Sequence, residues 1–345
     1  MKKMLALLLA LVMVLSLAAC ASSQPAAAST ETAETTETTE PAAEESAEAP
    51  AESGKTYTVG VCQLVQHEAL DAATQGFVDA LTEELGDAVT VDVQNASGDS
   101  VNCGTIVNGF VSKGVDLIMA NATPALTAAV SATADIPILG TSITAYGVAL
   151  DIDDFNGTVG GNVSGTSDLA DLQAQAQMIL DWFPETKTVG LLFCSAEPNS
   201  RYQIDEVRKA LEAQGVTCEE FAFTDSNDVS SVTQKAADFS DVVYIPTDNT
   251  AASNTEAIAN VLIPAGVPAV CGEEGLCRGC GVATLSISYY DLGVTTGKMA
   301  AKILKGEADI STMPVEYTDA TPKYNASVCE QLGITPLDGY EAIDG

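Results

Sequence analysis

Short apolar runs that end in clusters of hydrogen-bonding side chains, each followed by a helical pattern, recur through this chain and constrain its fold more than any other feature. The clearest is Asp241–Thr255. Val242-Val243-Tyr244-Ile245 has the β-branched and aromatic content of a buried strand. Pro246 lacks the amide hydrogen that a sheet ladder needs, and stops it. Thr247-Asp248-Asn249-Thr250 then gathers polar groups in one turn before Ala257, Ile258, Val261 and Leu262 take up helical spacing. Thr58–Val61, Val89–Val93, Asp116–Met119 and Ile136–Leu139 behave alike earlier in the chain. Val189–Phe193, Val216–Phe223 and Ala269–Cys271 join Val242–Ile245 in the second half. Strands alternating with helices build parallel sheets, and open sheets of this kind bind ligands where the carboxyl ends of strands turn into helices.

The rhythm breaks at Gly160–Asp168, whose glycines suit a connector that changes backbone direction. A helix with Leu169, Leu172, Ala176, Ile179 and Phe183 on one face follows, and the alternation restarts. The two halves therefore share an order of elements: Cys62-Gln63 answers Cys194-Ser195, and Thr123 answers Thr247 or Asp248, at a period of about 130 residues. Beyond them Val282–Ser288 reads as a strand, Tyr289–Leu304 as a helix, Pro314–Tyr317 as a return strand and Tyr324–Leu332 as a surface helix. The expected fold class is α/β, with two doubly wound parallel-sheet lobes whose polar strand exits converge on one cleft.

Met1-Lys2-Lys3 followed by the apolar run Met4–Ala19 reads as a secretory signal peptide over 1–19. It ends in Leu17-Ala18-Ala19-Cys20, which matches a bacterial lipobox and implies a lipid on Cys20 that anchors the protein to the membrane. From Ala21 to Ser53 the chain is Ala, Thr, Ser, Glu and Pro, too poor in large apolar residues to fold, so 20–54 is expected to be a disordered tether. The expected location is the outer face of a bacterial cell membrane, of Gram-positive type. With 48 acidic against 14 basic residues, a net charge of −34 and no basic stripe, the composition excludes a nucleic-acid partner.

The ordered set His67-Glu68-Ala69-Leu70-Asp71, Asn95-Ala96-Ser97-Gly98-Asp99, Ala122-Thr123-Pro124-Ala125, Gly161-Asn162-Val163-Ser164-Gly165, Glu197-Pro198-Asn199-Ser200, Pro246-Thr247-Asp248-Asn249 and Tyr289-Tyr290-Asp291-Leu292-Gly293 resembles a known family over Thr56–Gly333. That family is the extracellular solute-binding proteins of ABC importers, of the tryptophan/tyrosine-type (TrpX-like) group. The resemblance implies a type I periplasmic-binding-protein fold joined by a three-crossover hinge near Gly161–Ser167, Thr284–Ser288 and Ser311–Val315. It divides the folded part into an N-terminal lobe, 55–164 plus 285–312, and a C-terminal lobe, 165–284 plus 313–345. It implies a monomer that passes a small solute to an ABC permease and its ATPase, without a cofactor. The chain departs from the family where Glu68 replaces a common Pro and where Thr144-Ala145-Tyr146 replaces Thr-Asp-Pro.

An amino acid needs an acceptor for its ammonium and donors for its carboxylate. Asp248 is the expected ammonium partner, because charge-assisted hydrogen bonds are the strong ones. Its bland alternative is a solvated acid beside a helix capped by Asn249 or Thr250. Thr123, Thr141, Ser142 and helix N-termini after Asn121 and Pro198 are the expected carboxylate donors, with Asn199 and Ser200 from the other lobe. Glu273 shares the ammonium role, selects a basic ligand or is a solvated loop acid. His67 orients the first loop or touches ligand, and Gln63, Glu197 and Asn249 complete the set at the strand exits. Tyr290, with Tyr289, is the expected aromatic wall. Aromatic or branched apolar amino acids are the expected ligands; a sugar or nucleoside receptor of the same fold, or a sensor partnering a receptor kinase, is the alternative.

His67 is the only histidine, so a multi-histidine metal site is excluded, and no catalytic triad is apparent. A thiol hydrolase would need Cys62 or Cys194 beside His67. Cys271, Cys277 and Cys280 form the one cysteine cluster; free, disulfide-bonded and metal-bound states stay open, although the second ligand pair of a metal site is absent.

Overall fold

The computed structural model describes residues 54–343. The signal peptide, Cys20 and nearly all of the tether lie outside the described residues. In the first half, β1 (Tyr57–Gln63), β2 (Val89–Asn95), β3 (Leu117–Asn121), β4 (Ile138–Ile143) and β5 (Val163–Ser167) alternate with α1 (Glu68–Leu85), α2 (Ser100–Lys113), α3 (Thr123–Ala132) and α4 (Tyr146–Ala149). In the second half α5 (Leu172–Trp182) leads into β6 (Thr188–Cys194), α6 (Pro198–Glu212), β7 (Thr217–Phe223), α7 (Val229–Phe239) and β8 (Val242–Ile245). Then come α8 (Asn249–Ala252), α9 (Thr255–Ala265), β9 (Ala269–Cys271), α10 (Glu274–Cys280), β10 (Ala283–Ser286) and α11 (Tyr289–Leu304). β11 (Glu316–Tyr317), β12 (Thr321–Tyr324), α12 (Ala326–Leu332) and β13 (Glu341–Ala342) finish the chain.

The strands form two sheets, ordered β11-β5-β4-β3-β1-β2 and β13-β12-β10-β9-β8-β6-β7. Every pairing is parallel except β10 with β12. Central strands are buried on both faces, as continuous apolar runs require, whereas β2 alternates at its sheet's edge. Caps fix the helices locally. Asp99 accepts from Val101 N, Asp171 from Gln173 N and Ala174 N, and Ser288 from Asp291 N.

The chain passes between sheets three times: between β5 and α5, between β10 and α11, and between β11 and β12. Helix α11 follows a strand of the second sheet but packs on α1, β4 and β5 of the first. These crossovers sit a few residues past the expected divisions, because β5 and β11 both pair within the first sheet.

Two expectations change. Gly160–Asp168 is not only a connector, since Val163–Ser167 is a fully buried strand between β4 and β11. Its polar content hid it. Thr166 Oγ1 bonds Thr296 Oγ1 at 2.8 Å and Ser164 Oγ donates to Met313 O at 2.9 Å, so those hydroxyls are satisfied inside the lobe. Gly165 has φ +144°, and a side chain there would strike the carbonyl of Gly140. Tyr324–Leu332 likewise divides into the end of β12 and α12, whose Val328 and Cys329 are buried.

Candidate functional site

The exits of β1, β4, β6, β8 and β9, together with the first crossover and the start of α11, meet at one crevice between the sheets. Its inner chamber is lined by His67, Leu70, Ser142 and Thr144 from one side and by Asn199, Thr247, Asp248, Asn249, Ala252 and Glu273 from the other. Asp168, from the first crossover, and Tyr289, the first residue of α11 after the second, complete the lining. The free volume there is about 10 Å³, room for a single water, so a larger guest enters only if the lobes part. An outer compartment of about 390 Å³ shares Asn249 with it and is walled in part by Leu64, Val65, Pro124 and Ala196.

Three carboxylates line the chamber, and none faces a Lys or Arg in it. Asp248 is buried; Oδ2 accepts from Cys194 N at 2.6 Å and Oδ1 from Ala251 N at 2.8 Å. It is therefore itself the cap of α8, the part expected of Asn249 or Thr250. Burial, and then the charge of Glu197, push its carboxyl up to about 8 against those two amides. Glu273 caps α10 in the same way, accepting from Gly275 N at 2.6 Å and Leu276 N at 2.5 Å, and burial raises it to about 7. It is no solvated loop acid.

Asp168 differs from both. Oδ2 accepts from Tyr289 Oη at 2.9 Å, and Oδ1 finds no hydrogen-bond partner among the described residues. Burial raises its pKa, with Tyr289 and the nearby Thr144 hydroxyl pulling the other way. Asn199 Oδ1 and Ser142 Oγ are also buried without a partner among the described residues. Ser142 holds φ +55°, a left-handed conformation uncommon outside glycine and found at sites where structure serves binding.

Glu197 serves the crevice indirectly. Its carboxylate accepts from Asn249 N, Asn249 Nδ2, Thr250 N and Thr250 Oγ1 at 2.6–3.0 Å, which fastens the turn before α8. With Nδ2 so engaged, Asn249 presents Oδ1 across the crevice to His67 Nε2 at 3.3 Å, so that nitrogen carries the hydrogen. Burial depresses the His67 pKa. A second tie spans the lobes where Arg278 Nε donates to Glu68 Oε1 at 2.9 Å.

Other expected residues stand elsewhere. The Gln63 amide is consumed by Val65 O, Asp71 and Thr74, which orient the start of α1. Thr141 Oγ1 bonds Thr166 and Thr296 beneath the chamber, and Ser200 is buried behind Asp248. Thr123 is buried at the start of α3, while its neighbour Pro124 lines the outer compartment. Tyr290 is not the aromatic wall, because the residue is 42 % exposed and its hydroxyl donates to Asp79 on the outer face. Helix periodicity turns Tyr289 inward instead. Asp168 and Thr144 are the contributions that sequence reasoning missed, whereas Tyr289, expected beside Tyr290, does line the chamber; an acid directly after a glycine-rich connector was the available signal for Asp168.

Thiol chemistry has no support in this geometry. All eight described cysteines are free, and burial pushes the Cys194 thiol up to about 11. Among the described residues no group of three or more His, Cys, Asp or Glu is placed to hold a metal ion. No described helix is long and apolar enough to cross a membrane.

The family model for ABC transporter substrate binding proteins matches residues 58–339. This chain belongs to that family. A tyrosine-binding protein of Clostridioides difficile (strain R20291) is 32% identical over 276 residues, covering 78% of this chain and 79% of the relative. An ABC domain from Streptococcus pneumonia in complex with L-Trp superposes with a TM-score of 0.79 at 32% identity, covering 84% of this chain and 100% of that one. The ligand-free, open structure of a substrate-binding protein with adhesive properties from Clostridium difficile gives 0.64 at 33% identity, with 84% and 99% covered. The better match to the ligand-bound relative agrees with the closed-down chamber. The two-sheet architecture is the type I periplasmic-binding-protein fold, and these relatives bind solutes rather than transform them.

The carboxyl shifts of this substrate-binding protein carry a sign. A carboxyl whose folded pKa lies above its unfolded value near 4 contributes stability that is complete below that value and is lost as pH rises through the folded pKa. For Asp248 and Glu273 that loss extends through about 8 and about 7. His67 works in the opposite sense only below about pH 6.5. The ligand-free protein will therefore melt at a higher temperature at pH 7 than at pH 9, and calorimetry across that interval checks it; a flat profile contradicts the burial of these acids.

Proposed function

We propose that this chain is a lipid-anchored receptor that captures an amino acid, aromatic or branched apolar, between its lobes and hands it to an ABC permease and its ATPase. The observation that carries the reading is the inner chamber. Buried acids line it without a lysine or arginine, and Asp168 Oδ1, Asn199 Oδ1 and Ser142 Oγ are left unpaired. Unpaired buried acceptors such as Asp168 Oδ1 and Asn199 Oδ1 are costly, and an ammonium group supplies the donors and the charge they lack, while the Ser142 hydroxyl is free to donate to the ligand carboxylate. Asp168 takes the direct contact, with Asp248 and Glu273 behind it. The side chain extends toward the outer compartment, past Leu64, Val65 and Pro124. The ligand holds the lobes together by touching both. Anchoring through Cys20 and monomeric action on the outer membrane face complete the proposal; the names of the tyrosine-binding and L-Trp-bound relatives support its ligand class.

Thermal-shift screening of the full chain tests it. L-Tryptophan, L-tyrosine or L-leucine at about 100 times its Kd should stabilise the folded state by roughly 2.7 kcal/mol, while hexoses and nucleosides leave it unmoved. Stabilisation by a sugar and by no amino acid would refute the reading.

A further inference from the structure

The chamber supplies an ammonium site but meets a carboxylate with no opposite charge. Of the residues lining the inner and outer compartments, none is Lys or Arg, and His67 is held toward its neutral form by burial. The acids close to a guest are Asp168, Asp248, Glu273 and Glu197, with Asp225 further out. The donors left for a ligand carboxylate are neutral: hydroxyls and the amides opening α3 and α6, neither of which has a side-chain cap. An α-carboxylate placed here gains neutral hydrogen bonds, with no cation in the lining to offset its desolvation. A ligand without it keeps every contact of the ammonium and avoids that cost.

We propose that this receptor also takes primary aromatic amines, the decarboxylated counterparts of aromatic amino acids, as ligands in the same cleft. Two of the unpaired atoms, Asp168 Oδ1 and Asn199 Oδ1, are acceptors on residues 4–5 % exposed, so the chamber suits a group that donates hydrogen bonds, while the Ser142 hydroxyl serves either a donor or an acceptor. The chain as a whole works in the same direction. Its net charge of −34 draws a monocation toward the mouth and leaves a zwitterion, which carries no net charge, unsteered. The inference rests on the ammonium reading above and extends it from amino acids to amines.

Isothermal titration of the full chain with six probes separates the two claims. L-Tryptophan, tryptamine and indole-3-propionate form one set; L-tyrosine, tyramine and N-acetyl-L-tyrosine form the other. Tryptamine and tyramine are expected to bind within about tenfold of the parent amino acids or more tightly, with affinities that fall more steeply as salt is added. Indole-3-propionate and N-acetyl-L-tyrosine, which lack the ammonium, are expected to bind at least about a hundredfold more weakly than the parents. Tight binding of the amino acids with amines weaker by more than about tenfold overturns the amine proposal and leaves the ammonium reading standing. Equal binding of the ammonium-free probes, or no binding of any probe, overturns both.

Discussion

Replacing Asp168 with Asn is expected to cripple binding of ammonium-bearing ligands and, in the same molecule, to raise the melting temperature of the ligand-free protein. The two effects share one cause. Asp168 is 5 % exposed, and one of its oxygens has no hydrogen-bond partner among the described residues. A buried charge left in that condition costs the empty protein, and Asn keeps an oxygen for the Tyr289 hydroxyl while removing the charge. The gain should be about 1–3 kcal/mol at pH 8 and should shrink as acid protonates the wild-type carboxyl. Binding loses the charge-assisted contact, about 2–5 kcal/mol, or roughly thirty- to several-thousand-fold in Kd. Denaturation and titration on the same preparation check both halves. A variant that binds normally removes Asp168 from the ammonium role.

Gly293→Ala is expected to destabilise the protein although alanine is the better helix former. Gly293 lies in α11, and a Cβ there would fall on the carbonyl of Ala73 in α1. The helices would have to separate, at an overpacking cost of about 3 kcal/mol against about 1 kcal/mol of gained propensity. Gly109→Ala in α2 provides the contrast, because a Cβ there meets nothing. That change should stabilise by about 1 kcal/mol. Opposite signs in urea melts support the seam; the same sign at both positions shows that α1 and α11 part freely.

The fold was legible where hydrophobic runs were pure. Val242–Ile245 and Ala269–Cys271 form strands over the residues expected, and Tyr289–Leu304 forms the expected helix. It was illegible where a strand buries hydroxyls, as in β5, because Thr166 and Ser164 find partners that only the assembled lobe provides. The candidate site divided in the same way. Asp248, Asn249, Asn199, Ser142, Glu273 and His67 stand on the inner chamber, as strand-exit logic suggests. What a sequence does not display is which oxygens are already engaged. Asp248 and Glu273 each cap a helix, whereas Asp168, in a stretch read as linker, keeps an oxygen free of protein partners among the described residues. Choosing between Tyr289 and Tyr290 required the packing of α11 on α1.

The bond from Tyr289 to Asp168 fastens the first crossover to the start of α11, where the second crossover ends. In the proposed capture the lobes would turn about a pair of segments already pinned together. The base of the crevice would then keep its shape while the walls bearing Ser142 and Asn199 travel. A guest seated on that base would meet an anchor that does not shift under it, and its arrival would be felt at the pivot itself.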